Sequence, residues 1–157
     1  MSRHIVIALA LLFLAAVPVK ADTDTELRRM LIDDSHQLEL DDGGASPMSL
    51  TFASVHEADG SFRAWFRRPT GSVQVSGRFT FVPEFWIRGT NWRVPAHYRM
   101  VFYVSRFVST TTYAADLYPT PDEPLLMGRG SYATAGLLYT GSRTPVLFTA
   151  ERIYVPG

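Results

Sequence analysis

From Met48 to Tyr154, apolar side chains recur at every second position, and this period restricts the fold more than any other feature of the chain. Successive side chains of an extended backbone point to opposite faces, so a two-residue period builds a sheet with one greasy side and one wet side. Met48, Leu50 and Phe52 alternate with small polar residues. After a turn at Glu57-Ala58-Asp59-Gly60, Phe62, Ala64 and Phe66 share one face while Arg63, Trp65 and Arg67 share the other. Pro69-Thr70-Gly71 reverses the chain again, and Val73, Val75, Gly77, Phe79 and Phe81 then lie opposite Gln74, Ser76, Arg78 and Thr80. Such runs joined by short turns predict consecutive antiparallel hairpins.

Pro83, Gly89 and Pro95 break the pattern between Val82 and Pro95, because each obstructs a continuous ladder. A long strand follows, with Tyr98, Met100, Phe102 and Val104 on one face and Arg99, Val101 and Tyr103 on the other. Thr110 to Tyr118 is rich in β-branched and aromatic residues and reads as the next strand. Three prolines between Pro119 and Pro124 predict a stiff exposed loop. Two last strands are expected at Ser131 to Tyr139 and Pro145 to Tyr154, separated by Thr140-Gly141-Ser142-Arg143. With a short run at His36 to Leu40, the chain offers about eight strands, near the number at which a sheet closes into a small barrel.

The expected fold is therefore all-β and mainly antiparallel, a single domain over residues 35–157 forming a small up-and-down barrel; a two-sheet sandwich is the alternative. The alternation is similar to that of the small ligand-binding barrels of the lipocalin and avidin kind, although neither family's signature stands in the first strand. A lipocalin-like barrel would imply an interior or rim that receives a ligand.

The leader bounds the compartment. A short basic start, Met1-Ser2-Arg3-His4, precedes 13 apolar residues from Ile5 to Val17, too short a run to span a bilayer as a helix. Residues 1–21 read as a secretory signal peptide cleaved near Ala21, which places the protein in the periplasm or outside the cell. No later run predicts a transmembrane helix. Thr23 to Glu26 forms a capping box, and Leu27, Met30 and Leu31 give one apolar stripe, so residues 22–34 are expected to be a short helix or arm. The chain has no cysteine, which excludes disulfides and a lipidated cysteine.

Charge is segregated. Asp22 to Asp59 holds ten acidic and two basic residues, net −8, whereas Gly60 onward holds five acidic residues and eleven arginines, net +6. The sole lysine, Lys20, lies in the leader, so all remaining basic charge is guanidinium, which grips carboxylates and phosphates as a flat fork. A net charge of −2 after leader removal argues against nucleic acid as partner.

Two groups stand out as binding candidates. Trp86, Arg88, Trp92 and Arg93 share the Gly/Pro-broken connection, and large rings beside guanidinium groups have the composition of interface hot spots. Arg63, Trp65 and Arg67, with Arg99 and Tyr103, form an Arg–aromatic face suited to an anionic or aromatic ligand. The ordinary alternatives are tryptophans that plug a barrel end and arginines that cover an outer sheet face. His36, His56 and His97 show no metal-ligand spacing, and no phosphate loop, serine elbow or cysteine nucleophile is present, so no metal, cofactor or catalytic residue is assigned.

These observations predict an exported binding module without enzymatic activity, taking a small amphipathic molecule or another protein of the inhibitor or immunity type. The runner-up is a small outer-membrane barrel. An enzyme comes third and would need His97 or His56 beside Glu84 or Asp116 in one cleft. A solidly filled interior would favour the surface over the cup.

Overall fold

The computed structural model describes residues 36–56, 58–121 and 126–152; the expected signal peptide and the 22–34 helix lie outside them. Eight strands close into one barrel: β1 (His36–Asp41), β2 (Met48–Val55), β3 (Ser61–Arg68), β4 (Gly71–Val82), β7 (His97–Arg106), β8 (Ser109–Pro119), β9 (Leu126–Gly136) and β10 (Thr144–Arg152). All neighbours are antiparallel, and β1 pairs with β10 to close the wall, so the barrel and not the sandwich is formed. Two short strands, β5 (Phe85–Trp86) and β6 (Arg93–Val94), make a separate hairpin in the connection between β4 and β7. This is where Pro83, Gly89 and Pro95 interrupt the period.

Strand alternation sorts the side chains as the period demands. Leu38, Leu40, Leu50, Phe62, Phe66, Met100, Phe102, Leu117 and Phe148 point inward and are buried, while Arg63, Trp65, Arg67, Gln74, Arg78 and Arg99 face outward. Removing this apolar surface from water, at roughly 25 cal/mol per Å², is the main stabilising term in a chain that has no disulfide. Ala53 is the extra residue of a bulge between Phe52 and Ser54, so the strand stays in register with Ala64 and Arg63 on β3.

Two glycines are needed where they stand. Gly60 has φ of 69°, and a Cβ there would meet the Phe79 carbonyl oxygen, while the Phe79 N–H donates to the Gly60 carbonyl at 2.8 Å and ties the β2–β3 turn to β4. Gly77 lets β4 pass where a side chain would collide with the Phe62 ring, the Phe102 Cβ and the Val101 carbonyl oxygen.

The antiparallel meander gives the barrel two distinct ends. One carries the β2–β3 turn, the β5–β6 hairpin and the β8–β9 loop, and is here termed the hairpin end. The other, the tip end, carries the β1–β2 loop, the β3–β4 turn, the two-residue β7–β8 turn and the β9–β10 loop. The expected last pair of strands is shifted: β9 starts at Leu126 and stops at Gly136, leaving Leu137, Leu138 and Tyr139 as loop. The cause is local, since the Gly136 N–H donates to the Tyr139 carbonyl at 2.8 Å and turns the chain out of the ladder.

Candidate binding surface

The hairpin end is built around the chain's densest Trp/Arg segment. Phe85 pairs with Val94 and Trp86 with Arg93, and the Ile87 N–H donates to the Trp92 carbonyl at 2.9 Å. Gly89 takes φ of 80° at the turn, and the Thr90 hydroxyl donates to the Ile87 carbonyl at 2.9 Å, so the loop is internally fixed. The rings point away from the barrel: Trp86 is 62% and Trp92 73% exposed, with Phe85 and Ile87 also exposed. The tryptophans therefore do not plug the barrel. Arg93 reaches Glu84 at 3.4 Å, and no ion pair forms to Arg88 among the described residues. Trp86, Arg88, Trp92 and Arg93 thus share one preformed projection, with the cross-strand partners Trp86 and Arg93 on one face and Trp92, the next residue, alternating to the other.

The second predicted group is only partly assembled. Arg63, Trp65 and Arg67 do line the outer face of β3, with Trp65 exposed. Arg99 and Tyr103 lie on β7, and β4 separates the two strands; across the wall, Arg63 pairs with Ser76 and Ser76 with Tyr103, a span of roughly 10 Å. Arg99 and Tyr103 share a shallow trough of about 490 Å³ with Ser76, Arg78, Thr80 and Val101, and the β3 residues do not line it. Arg99 is already engaged, its Nε donating to Asp116 Oδ1 at 2.9 Å and its Nη2 to Oδ2 at 3.4 Å. The same carboxylate holds the guanidinium pKa above its ordinary value.

His97 does meet Asp116, with its Nε2 3.7 Å from Oδ1. By alternation His97 belongs to the outer face of β7, yet it is only 3% exposed, because Tyr118 lies over its ring at 4.8 Å and the Pro95 carbonyl caps Nδ1 at 2.9 Å. A carbonyl only accepts, so Nδ1 carries the hydrogen, and Nε2 has no hydrogen-bond partner. The ring is a pin between the hairpin's return strand and β8, buried beneath Tyr118. His56 stands exposed on the β2–β3 turn, where Ser61 donates from its backbone N–H to Asp59 at 2.9 Å and, with its hydroxyl, holds that carboxyl below its usual pKa. Among the described residues, no group of three His, Asp or Glu side chains is placed to hold a metal.

A further trough of about 650 Å³ crosses the outer face of β8, β9 and β10, bounded by Asp116, Tyr118, Met127, Arg129 and Leu147. The period of two places these side chains outside but gives no sign that they border a depression. The sequence reading also missed the tip end, where Phe107, Val108, Leu137, Leu138 and Tyr139 are exposed. Phe107 and Val108 form a bare two-residue turn, a signal available in the sequence, whereas Leu137 to Tyr139 has the composition of a strand.

Comparison of the chain with protein-family models, with curated proteins and with solved structures found no match.

Proposed function

We propose that the chain is an exported binding module that grips a protein partner with the hairpin Phe85–Val94. The observation that carries this reading is that Trp86 and Trp92 stand out from an internally hydrogen-bonded loop, with Arg88 and Arg93 beside them. A loop backbone that already sits in place loses little freedom on binding, and guanidinium groups beside the rings select carboxylates at the rim of an apolar patch. The partner is accordingly a protein with an apolar cleft edged by acidic residues.

The packed interior favours the surface over the cup. Inside the barrel the rings pack as two trios, Phe52 with Phe62 and Phe79, and Phe66 with Phe102 and Tyr113, at centroid separations of 4.6 to 5.8 Å. The direction of burial also favours water around the wall, since a barrel in lipid carries its apolar side chains outside. Export rests on the leader pattern.

Native mass spectrometry of the protein, gently recovered from the cells that make it, tests the proposal. A second polypeptide should travel with the chain and be lost in the Trp86→Ala/Trp92→Ala variant. A small molecule retained equally by both forms, or a bare chain in both, would overturn it.

A further inference from the structure

The tip end offers a second surface of different chemistry. β8 begins at Ser109 and β9 ends at Gly136, and these residues are cross-strand partners. The β7–β8 turn, Phe107-Val108, and the loop segment Leu137-Leu138-Tyr139 therefore project side by side from the same rim. Phe107 and Leu138 are wholly exposed, and Leu137 is nearly so.

This exposure is built in. Besides the Gly136-to-Tyr139 hydrogen bond, the Gly141 N–H donates to the Thr134 carbonyl at 2.7 Å, and Ala135 bridges to Thr140. The loop is closed on its own backbone with its leucines held outward, a conformation that water alone disfavours.

Three arginines belong to the same end of the barrel. Arg106 is the last residue of β7, Arg143 ends the β9–β10 loop, and Arg68 lies at the end of β3 with its guanidinium 5.8 Å from the Phe66 ring centre. Arg68 Nε is buried without a hydrogen-bond partner among the described residues. The two carboxylates of this end are occupied within the protein: Asp41 accepts from the Gly43 N–H, and Asp42 from the Gly44 N–H and the Tyr132 hydroxyl.

We infer that the tip end docks on an anionic phospholipid surface, with Phe107, Val108, Leu137 and Leu138 entering the headgroup–acyl boundary and Arg68, Arg106 and Arg143 meeting lipid phosphates. Convexity decides for lipid over protein. Isolated projecting side chains need a matching pocket for each on a protein, whereas a bilayer boundary accepts them at any spacing, and basic residues at the same end match anionic headgroups. The barrel would then stand on the membrane with its Trp/Arg hairpin at the far end, free for a partner.

The chain has no cysteine, so single substitutions accept one polarity-sensitive dye each. Phe107→Cys and Leu138→Cys report the tips, and Gln74→Cys reports the outer wall. With phosphatidylglycerol–phosphatidylcholine vesicles, the tip labels should shift to the blue while the wall label does not, and inorganic phosphate alone should shift none. The unlabelled Phe107→Ser/Leu138→Ser variant should co-sediment at least tenfold less, and Arg106→Gln/Arg143→Gln should lose the preference for the anionic lipid. Unshifted tip labels, a shifted wall label, or equal binding to pure phosphatidylcholine would overturn the inference.

Discussion

The two halves of the barrel interior are filled with different materials. Toward the hairpin end the core is dry: Phe52, Phe62 and Phe79 pack against one another at 4.9 to 5.8 Å, and Tyr98 adds an edge to Phe79 at 6.5 Å. Toward the tip end Phe66 and Phe102 meet Tyr113, which leads on to Tyr132 at 5.0 Å, and polar groups line the neck. Thr111 and Thr134 share a hydrogen bond at 2.8 Å, the Tyr132 hydroxyl donates to Asp42 at 3.1 Å, and Arg68 covers Phe66. Gly77 marks the boundary, since both Phe62 and Phe102 crowd the space its side chain would occupy. One end is thus sealed by rings, and the other grades from rings through phenols to guanidinium groups at the rim.

The largest expected effect tests the dry half. Phe62 is fully buried, and Phe62→Ala leaves a void between Phe52 and Phe79, so it should destabilise the protein by about 3 to 5 kcal/mol in denaturant unfolding. The three rings that meet at this void carry no ionisable group, and the loss should be read at pH 7, where the neighbouring Tyr98 phenol is protonated. A loss below about 1 kcal/mol would mean that the sealed end is loosely packed, and the contrast would fail.

The phenol half should instead respond to alkali. Burial, and then the neighbouring Tyr132 phenol, push the Tyr113 hydroxyl up to about 12. Its proton is lost near pH 10 in the unfolded chain and only near 12 in the folded one, so the unfolded state binds fewer protons between these values. Stability is then fully present below pH 10 and falls as pH rises to 12, by roughly 2 to 3 kcal/mol on the scale of 1.36 kcal/mol per pKa unit. With no lysine after residue 20, tyrosines dominate the titration in this window. Tyr113→Phe should reduce the fall in unfolding midpoint between pH 10 and 12, and an unchanged fall would erase the contribution assigned to this half.

The same contrast explains what could be read in advance. The barrel wall was legible because Phe62, Ala64 and Phe66 alternate with Arg63, Trp65 and Arg67, and a slip of one residue would exchange the two faces. The break in the wall was legible because Pro83, Gly89 and Pro95 interrupt a ladder around two tryptophans, but the pairing of β5 with β6 inside that break was not. Leu137 to Tyr139 was not, because the leucines and tyrosine suit a strand equally, and one backbone hydrogen bond from Gly136 decides for the loop. His97 was misleading in another way: its outward register is right, but Tyr118 and Pro95 cover it, and such cover depends on contacts that the period does not encode.

The smallest expected effects concern the projections at both ends. Trp92 holds its hairpin through its backbone, the N–H donating to the Thr90 hydroxyl at 3.2 Å and the carbonyl accepting from Ile87, while the indole itself is 73% exposed. Phe107 likewise contributes only its backbone to the β7–β8 turn. Trp92→Ala and Phe107→Ser should each shift unfolding stability by no more than about 0.5 kcal/mol, an order of magnitude below Phe62→Ala. If either costs 2 kcal/mol or more, that ring packs against its own barrel, and the end concerned is a plug for the core with no surface to offer a partner.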